Sequence, residues 1–246
     1  MLAVLAIACG WAWLRSDQAP ARRGPPPGIG LFTTLPILWR ESESIAGMLR
    51  ADAPQSKQAP HWALRVLKAR GRLYPLDSLS PMPQRLETVI MAQPRPLSGE
   101  ENVALDDWVR GGGRLLLFAD PLLTQDSEFG IGDRRRPQDV VLLSPILARW
   151  GLALAFDDAQ PMGEWRIRLQ GGEIVVNLPG RLSAAAADEA VSRCTISREG
   201  LTADCRIGSG RAYVVADAAL LESGAGENDR AAMLVQILSN LERKLP

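Results

Sequence analysis

The sequence predicts an α/β fold: a doubly wound, mostly parallel sheet with antiparallel β-hairpins added in its second half. Three observations carry this. A capped helix ending in Gly111-Gly112-Gly113 runs straight into the apolar strand 115–119 (LLLFA), the pattern of a βαβ unit with a right-handed crossover. The folded part opens on a short apolar run, 28–33 (GIGLFT). Two stretches of alternation, around Gly171-Gly172 and Glu199-Gly200, read as hairpins.

The elements follow in order. The first fourteen residues, MLAVLAIACGWAWL, carry no charge and read as a membrane anchor or signal segment. Residues 15–28 form a polar, Pro-rich tether, and 29–246 form the α/β domain. Positive charge follows the apolar run, at Arg15, Arg22 and Arg23. Taken literally, that order would leave the domain in the cytoplasm. The expectation is instead that the start lies within a longer segment whose basic flank is missing. Orientation then rests on the redox state of Cys194 and Cys205, which points to the periplasmic side of an inner membrane.

After the strand 28–33, helices are expected at Ser42–Leu49 and His61–Arg70, the latter burying Trp62, Val66 and Ala69. Strands follow at Arg72–Pro75 and Thr88–Ala92. Ser98-Gly99-Glu100-Glu101 is a capping box for a helix presenting Leu105, Trp108 and Val109 inward. Beyond the apolar strand come a long polar loop, 120–139, a helix from Val140 to Trp150, and a strand at 152–156. The hairpins fill 165–178 and 194–205, strand 211–216 returns to the sheet, and a helix capped by Asn228 or Asp229 closes the chain.

Charge argues against one class of partner. Basic and acidic side chains balance at 28 each, without the basic excess that nucleic-acid binding uses. The search for catalytic chemistry is mostly empty. There is one histidine, His61, read as an exposed helix-start residue, and no GxSxG, Walker A, HExxH or CxxC pattern. No cofactor is implied. Asp77, Asp120 and Asp217 each follow a predicted strand, so the carboxyl edge of the sheet could gather three oxygen donors for a metal ion. The other reading has Asp120-Pro121 and Asp217-Ala218 simply starting turns.

Arg134, Arg135 and Arg136 either grip an anionic partner or pair with Asp126, Glu128, Asp133 and Asp139 nearby. The stretch Leu35–Trp39 leaves the first strand on the edge where this fold class places ligands and partners, so both residues are candidate partner contacts. Cys194 and Cys205 are placed symmetrically about Glu199-Gly200. A two-residue turn there makes them directly opposed, in the wider, hydrogen-bonded kind of pair. A disulfide, and with it an oxidising compartment, is the expectation; two reduced thiols in a cytoplasmic protein are the alternative.

Three segments resemble one family. Residues 87–121 (ETVIMAQPRPLSGEENVALDDWVRGGGRLLLFADP), 31–39 (LFTTLPILW) and 210–241 (GRAYVVADAALLES…NDRAAMLVQILSNL) are similar, in the right order, to bacterial ABC-transporter auxiliary domains of the gliding-motility, GldG-like kind. The resemblance implies a flavodoxin- or amidotransferase-like fold without the Cys-His-Glu machinery of class I glutamine amidotransferases. It also implies membrane anchoring, a domain outside the cytoplasm, and an ABC permease and ATPase as partners. The chain departs from the family in having Ala216-Asp217-Ala218 where Gly-Asp-Ser is common, and in showing one hydrophobic segment. The leading expectation is a non-enzymatic, membrane-tethered binding module. Alternatives are a divergent hydrolase- or amidotransferase-like enzyme using the carboxylate edge, and a carbohydrate- or lipid-binding envelope module.

Overall fold

A computed structural model describes residues 28–39, 60–83, 85–169, 171–186 and 192–243. The expected anchor, the tether up to Gly28 and the helix at 42–49 lie outside the described residues. Among the described residues, no helix is long and apolar enough to cross a membrane.

Seven strands make the main sheet: β1 (Gly28–Thr33), β2 (Arg72–Pro75), β3 (Leu86–Ala92), β4 (Arg114–Phe118), β9 (Ser192–Ile196), β10 (Thr202–Ile207) and β11 (Gly210–Val215). Their order is β2-β1-β3-β4-β11-β10-β9. The first five run parallel, and β10 pairs antiparallel with both its neighbours. This is the doubly wound sheet that the apolar strands and the capped helix predict.

Both faces of the sheet are covered. On one, Ile29, Leu31, Ile90, Leu116 and Phe118 pack with Trp62 and Leu67 of α1 (Trp62–Arg70). Leu234, Ile237 and Leu238 of the last helix, Glu227–Glu242, complete that layer. On the other, Val89, Met91, Leu115, Leu117 and Val214 meet Leu105 and Val109 of α2 (Gly99–Arg110) and Ile146, Leu147 and Trp150 at α3 (Ser144–Arg149). Successive strand residues point to opposite faces, so a run such as LLLF feeds both layers and must be apolar throughout.

The α2 capping box is complete: Ser98 Oγ accepts the Glu101 amide at 3.1 Å, and the Glu101 carboxylate accepts the Ser98 amide at 3.0 Å. Gly210 lets the end of α2 sit on β11, since a Cβ there would lie 1.9 Å from the Val109 carbonyl oxygen.

Some expectations differ from the structure. The helix expected from Val140 begins at Ser144. The Val141 amide is drawn 3.1 Å to the Asp120 carbonyl, and Pro145 suits a first turn. In α1, Ala69 is exposed and Ala63, Val66 and Leu67 complete the inner face with Trp62. The last helix, α4, starts at Glu227 with Gly226 as its N-cap in the left-handed region (φ 77°), not with a side-chain cap from Asn228 or Asp229. Strand β8 (Arg181–Ala184), pairing antiparallel with β5 (Leu152–Ala155), has no alternation long enough to read in sequence. The hairpin of β6 (Trp165–Leu169) and β7 (Gly172–Val176) forms as expected.

The second hairpin has the expected register, Cys194 opposite Cys205, but a different turn. Ser197 donates its amide 2.8 Å to the Thr202 carbonyl, so the connection has four residues, with Gly200 at φ 75°. Moving the closing hydrogen bond out to this pair shifts the alternation by one. Cys194 and Cys205 therefore occupy the narrow, non-hydrogen-bonded kind of pair, with Cα atoms 3.9 Å apart. Their sulfurs are joined in a disulfide.

Candidate functional site at the carboxyl edge of the sheet

In a doubly wound sheet, the crevice for a ligand lies beyond the carboxyl ends of the strands, where the winding reverses. Here the winding reverses between β1 and β3. Thr33 Oγ1 leaves β1 to donate to the Ala92 carbonyl at 2.8 Å, and Thr34 donates to the Gln93 carbonyl. Gln93, directly after β3, is fully buried and holds a positive φ of 44°. Its side chain accepts the Asp120 amide at 2.9 Å and donates to the carbonyls of Asp120 and Gln138, at 3.1 and 2.8 Å. The backbone conformation is unfavourable for a residue with a side chain and is held in place by these bonds. Nothing in the local sequence signals it, because the residue before a proline is ordinarily extended.

Two carboxylates complete the edge. Asp120 and Asp217, after the neighbouring strands β4 and β11, are 0% and 1% exposed. Asp120 Oδ1 and Oδ2 accept the amides of Leu122 and Ala218, at 2.9 and 3.0 Å. Asp217 Oδ1 and Oδ2 accept those of Ala219 and Asn177, at 2.6 and 2.9 Å. Burial pushes the Asp120 carboxyl up to about 6, against the pull of its two amides. Burial first, and the negative charge of Asp120 second, push Asp217 well above the ordinary carboxylate range.

The third candidate ligand, Asp77, does not join them. It is exposed beyond β2, and its carbonyl accepts from Arg95 at 2.8 Å. Strand β2 lies three places from β4, about 14 Å at the usual strand spacing. Among the described residues, no group of three or more His, Cys, Asp or Glu side chains is arranged to hold a metal ion.

The edge is closed by the protein's own chain. The segment after β4 crosses it, with the Leu123 amide on the Asp139 carbonyl at 2.9 Å and the Gln138 amide on Thr34 Oγ1 at 3.0 Å. Beside it lies a buried group that sequence reasoning missed. Arg230, 1% exposed, donates to the carbonyls of Ala219 and Ala225 and meets Glu164 at 2.5 Å. Glu222 accepts from Thr124 at 3.0 Å. An arginine inside an amphipathic helix pattern reads as a surface residue, so no signal marks this one.

The remaining candidates separate. His61 is half-buried rather than exposed, and caps α1 by accepting the Ala63 amide on Nδ1 at 3.2 Å; burial lowers its basicity. Leu35, 1% exposed, belongs to the core and has no surface to offer a partner, whereas Trp39 is 40% exposed. Arg135 pairs with Asp133 at 2.7 Å and stacks on Phe129 at 4.1 Å; Arg136 pairs with Asp139 at 2.9 Å; Arg134 is exposed.

Residues 49–179, more than half of the 246-residue chain, match the family described as an ABC-type uncharacterized transport system. The chain belongs to that family. Among curated proteins, none matches it in sequence. Among solved structures, an exo-β-1,4-mannosidase from Opitutaceae bacterium strain TAV5 is similar at 15% identity and a TM-score of 0.53, over 90% of this chain and 36% of the enzyme. A catalytic mutant of a GH42 β-galactosidase from G. stearothermophilus gives 12% and 0.49, over 89% of this chain and 30% of that one. The chain thus spans about a third of these glycosidases, and at such identity the likeness concerns the fold alone.

Proposed function

We propose that this chain is a non-enzymatic, membrane-tethered auxiliary module of an ABC transporter, of the GldG-like kind, with an amidotransferase-like domain in the periplasm. Its partners are the permease and ATPase. The family match supports the transport system. The observation that carries the non-enzymatic reading is the closed carboxyl edge: the carboxylates a hydrolase would use there have all four oxygens bonded to backbone amides. Exposed Trp39, six residues past the end of β1, is the contact offered to a partner.

Affinity capture of the tagged full chain from native membranes tests this, with co-purification of a permease and ATPase as the expected result. Recovery of the chain without either overturns the transporter assignment. The raised carboxyl of Asp120 favours a second reading, a divergent hydrolase using it as a proton donor. Hydrolytic turnover that disappears in Asp120→Asn would replace the non-enzymatic reading with that one.

A further inference from the structure

A groove of about 880 Å³ lies between α4, the β6–β7 hairpin and strands β9–β11, with neither Asp120 nor Asp217 in its lining. Four arginines line it: Arg168 on β6, Arg198 on the β9–β10 turn, Arg211 on β11 and Arg243 just past α4. Only two acids share the lining, Glu199 and Asp204, in a chain whose charges otherwise balance at 28 each. Asp204 is already engaged by Arg211, which donates from Nε at 2.7 Å and from a second nitrogen, while its Nη1 bonds the Asn240 carbonyl at 2.7 Å. Arg168 meets Glu173 at 3.0 Å, but both are exposed, so the pair is weak and easily exchanged. Arg198 and Arg243 are exposed to the groove.

The wall between these cations is polar and apolar in about equal parts. Thr195, Thr202, Tyr213 and Gln236 contribute hydroxyls and an amide, and Leu169 and Ile196 contribute apolar surface. A cation would be repelled here, and a purely apolar ligand would find no enclosing surface. The volume lies within the range of about 300–1,000 Å³ usual for small-ligand sites. Guanidinium forks match carboxylates bidentately, and hydroxyl-rich walls match sugar hydroxyls. We propose that this groove binds an acidic oligosaccharide, a short chain of sugars bearing carboxylates. The groove's lining does not include Trp39, so the site stands or falls independently of the transporter assignment.

Calorimetric titration of the full chain tests it, using tetragalacturonate, the neutral cellotetraose and inorganic tripolyphosphate. Saturable binding of tetragalacturonate, and neither of the other two with comparable affinity, is the expected result. The double charge reversal Arg198→Glu/Arg243→Glu should weaken it by about tenfold or more, since two charge-assisted contacts become repulsive. Arg134→Glu, on the loop after β4 and outside the groove lining, should leave it unchanged. All three positions are exposed, and an unchanged melting temperature verifies that each variant folds. Absence of tetragalacturonate binding, indifference to the double reversal, or equal binding of cellotetraose or tripolyphosphate would each overturn the proposal.

Discussion

Asp120 and Asp217 end neighbouring parallel strands and are tied through one stretch of backbone: Asp120 accepts the amide of Ala218, and Asp217 accepts the amide of Ala219. Two carboxylates in a dry site resist ionising together: the charge of Asp120 raises the cost of ionising Asp217, and Glu222 adds to the cost at both. Four backbone amides compensate in part. The same bonds fix the turns after β4 and β11, so the electrostatic oddity and the architecture of the edge have one cause.

This pair gives stability a definite pH dependence. A carboxyl whose folded value is raised, from 3.8 to about 6 for Asp120, stabilises the fold below its unfolded value. That contribution is lost as pH rises through about 6. The shift corresponds to about 3 kcal/mol, as an order of magnitude. The melting temperature should therefore fall between pH 4.5 and 7, and the fall should shrink in Asp217→Asn even though that variant is less stable overall. Equal slopes in the two proteins would refute the assignment.

Glu101 acts in the opposite direction. Arg95 chiefly, through twin hydrogen bonds of 2.7 and 2.8 Å, holds its carboxyl down to about 2, with the amides of Ser98 and Leu79 assisting against burial. Its stabilisation is present above the unfolded value of 4.5 and lost as pH falls towards 2. Glu101→Ala removes the capping box and strands the Leu79 amide, so a loss of about 2–4 kcal/mol is expected by chemical denaturation. Exposed Glu100→Ala should cost less than about 0.5 kcal/mol. Similar losses at both positions would mean the box is not what holds this turn.

How far the sequence carried depended on whether the physics was local. The capping box, the apolar strand after it and the opposition of Cys194 to Cys205 depend on neighbours in sequence, and they are legible there. Gln93 is buried because the segments after β1 and β4 converge on it, and no local pattern encodes that convergence. The metal-site idea failed on strand order. All three aspartates follow strands, but periodicity does not say that β2 and β4 are separated by β1 and β3. Leu35 and Trp39 read alike as a surface, until the Leu35 amide bonding back to Thr33 Oγ1 turns the chain and commits Leu35 to the core.

That separation of Leu35 from Trp39 is measurable. Leu35→Ala should destabilise the domain by about 2–5 kcal/mol, as large-to-small changes in a packed core do. Trp39→Ala should leave the melting temperature nearly unchanged and still reduce capture of the permease. A Trp39 variant that unfolds, or that captures its partner as well as the parent chain, would remove the residue from the interface.

The last prediction concerns the compartment. The disulfide closes a loop of sequence separation 11 across β9 and β10, with Cys205 fully buried between β9 and β11. Restricting so short a loop in the unfolded chain is worth about 3 kcal/mol on the chain-entropy account. Reduction should therefore lower the denaturation midpoint of the parent protein and leave a Cys194→Ser/Cys205→Ser variant, already reduced in stability, unaffected. Such bonds form and persist chiefly in oxidising surroundings, so the proposed periplasmic placement expects this one to be intact in the cell. Alkylating the natively expressed chain before reduction, then weighing it, reads the redox state directly. A mass showing Cys194 and Cys205 both blocked would mean that the domain resides in a reducing compartment, and the periplasmic placement would have to be given up.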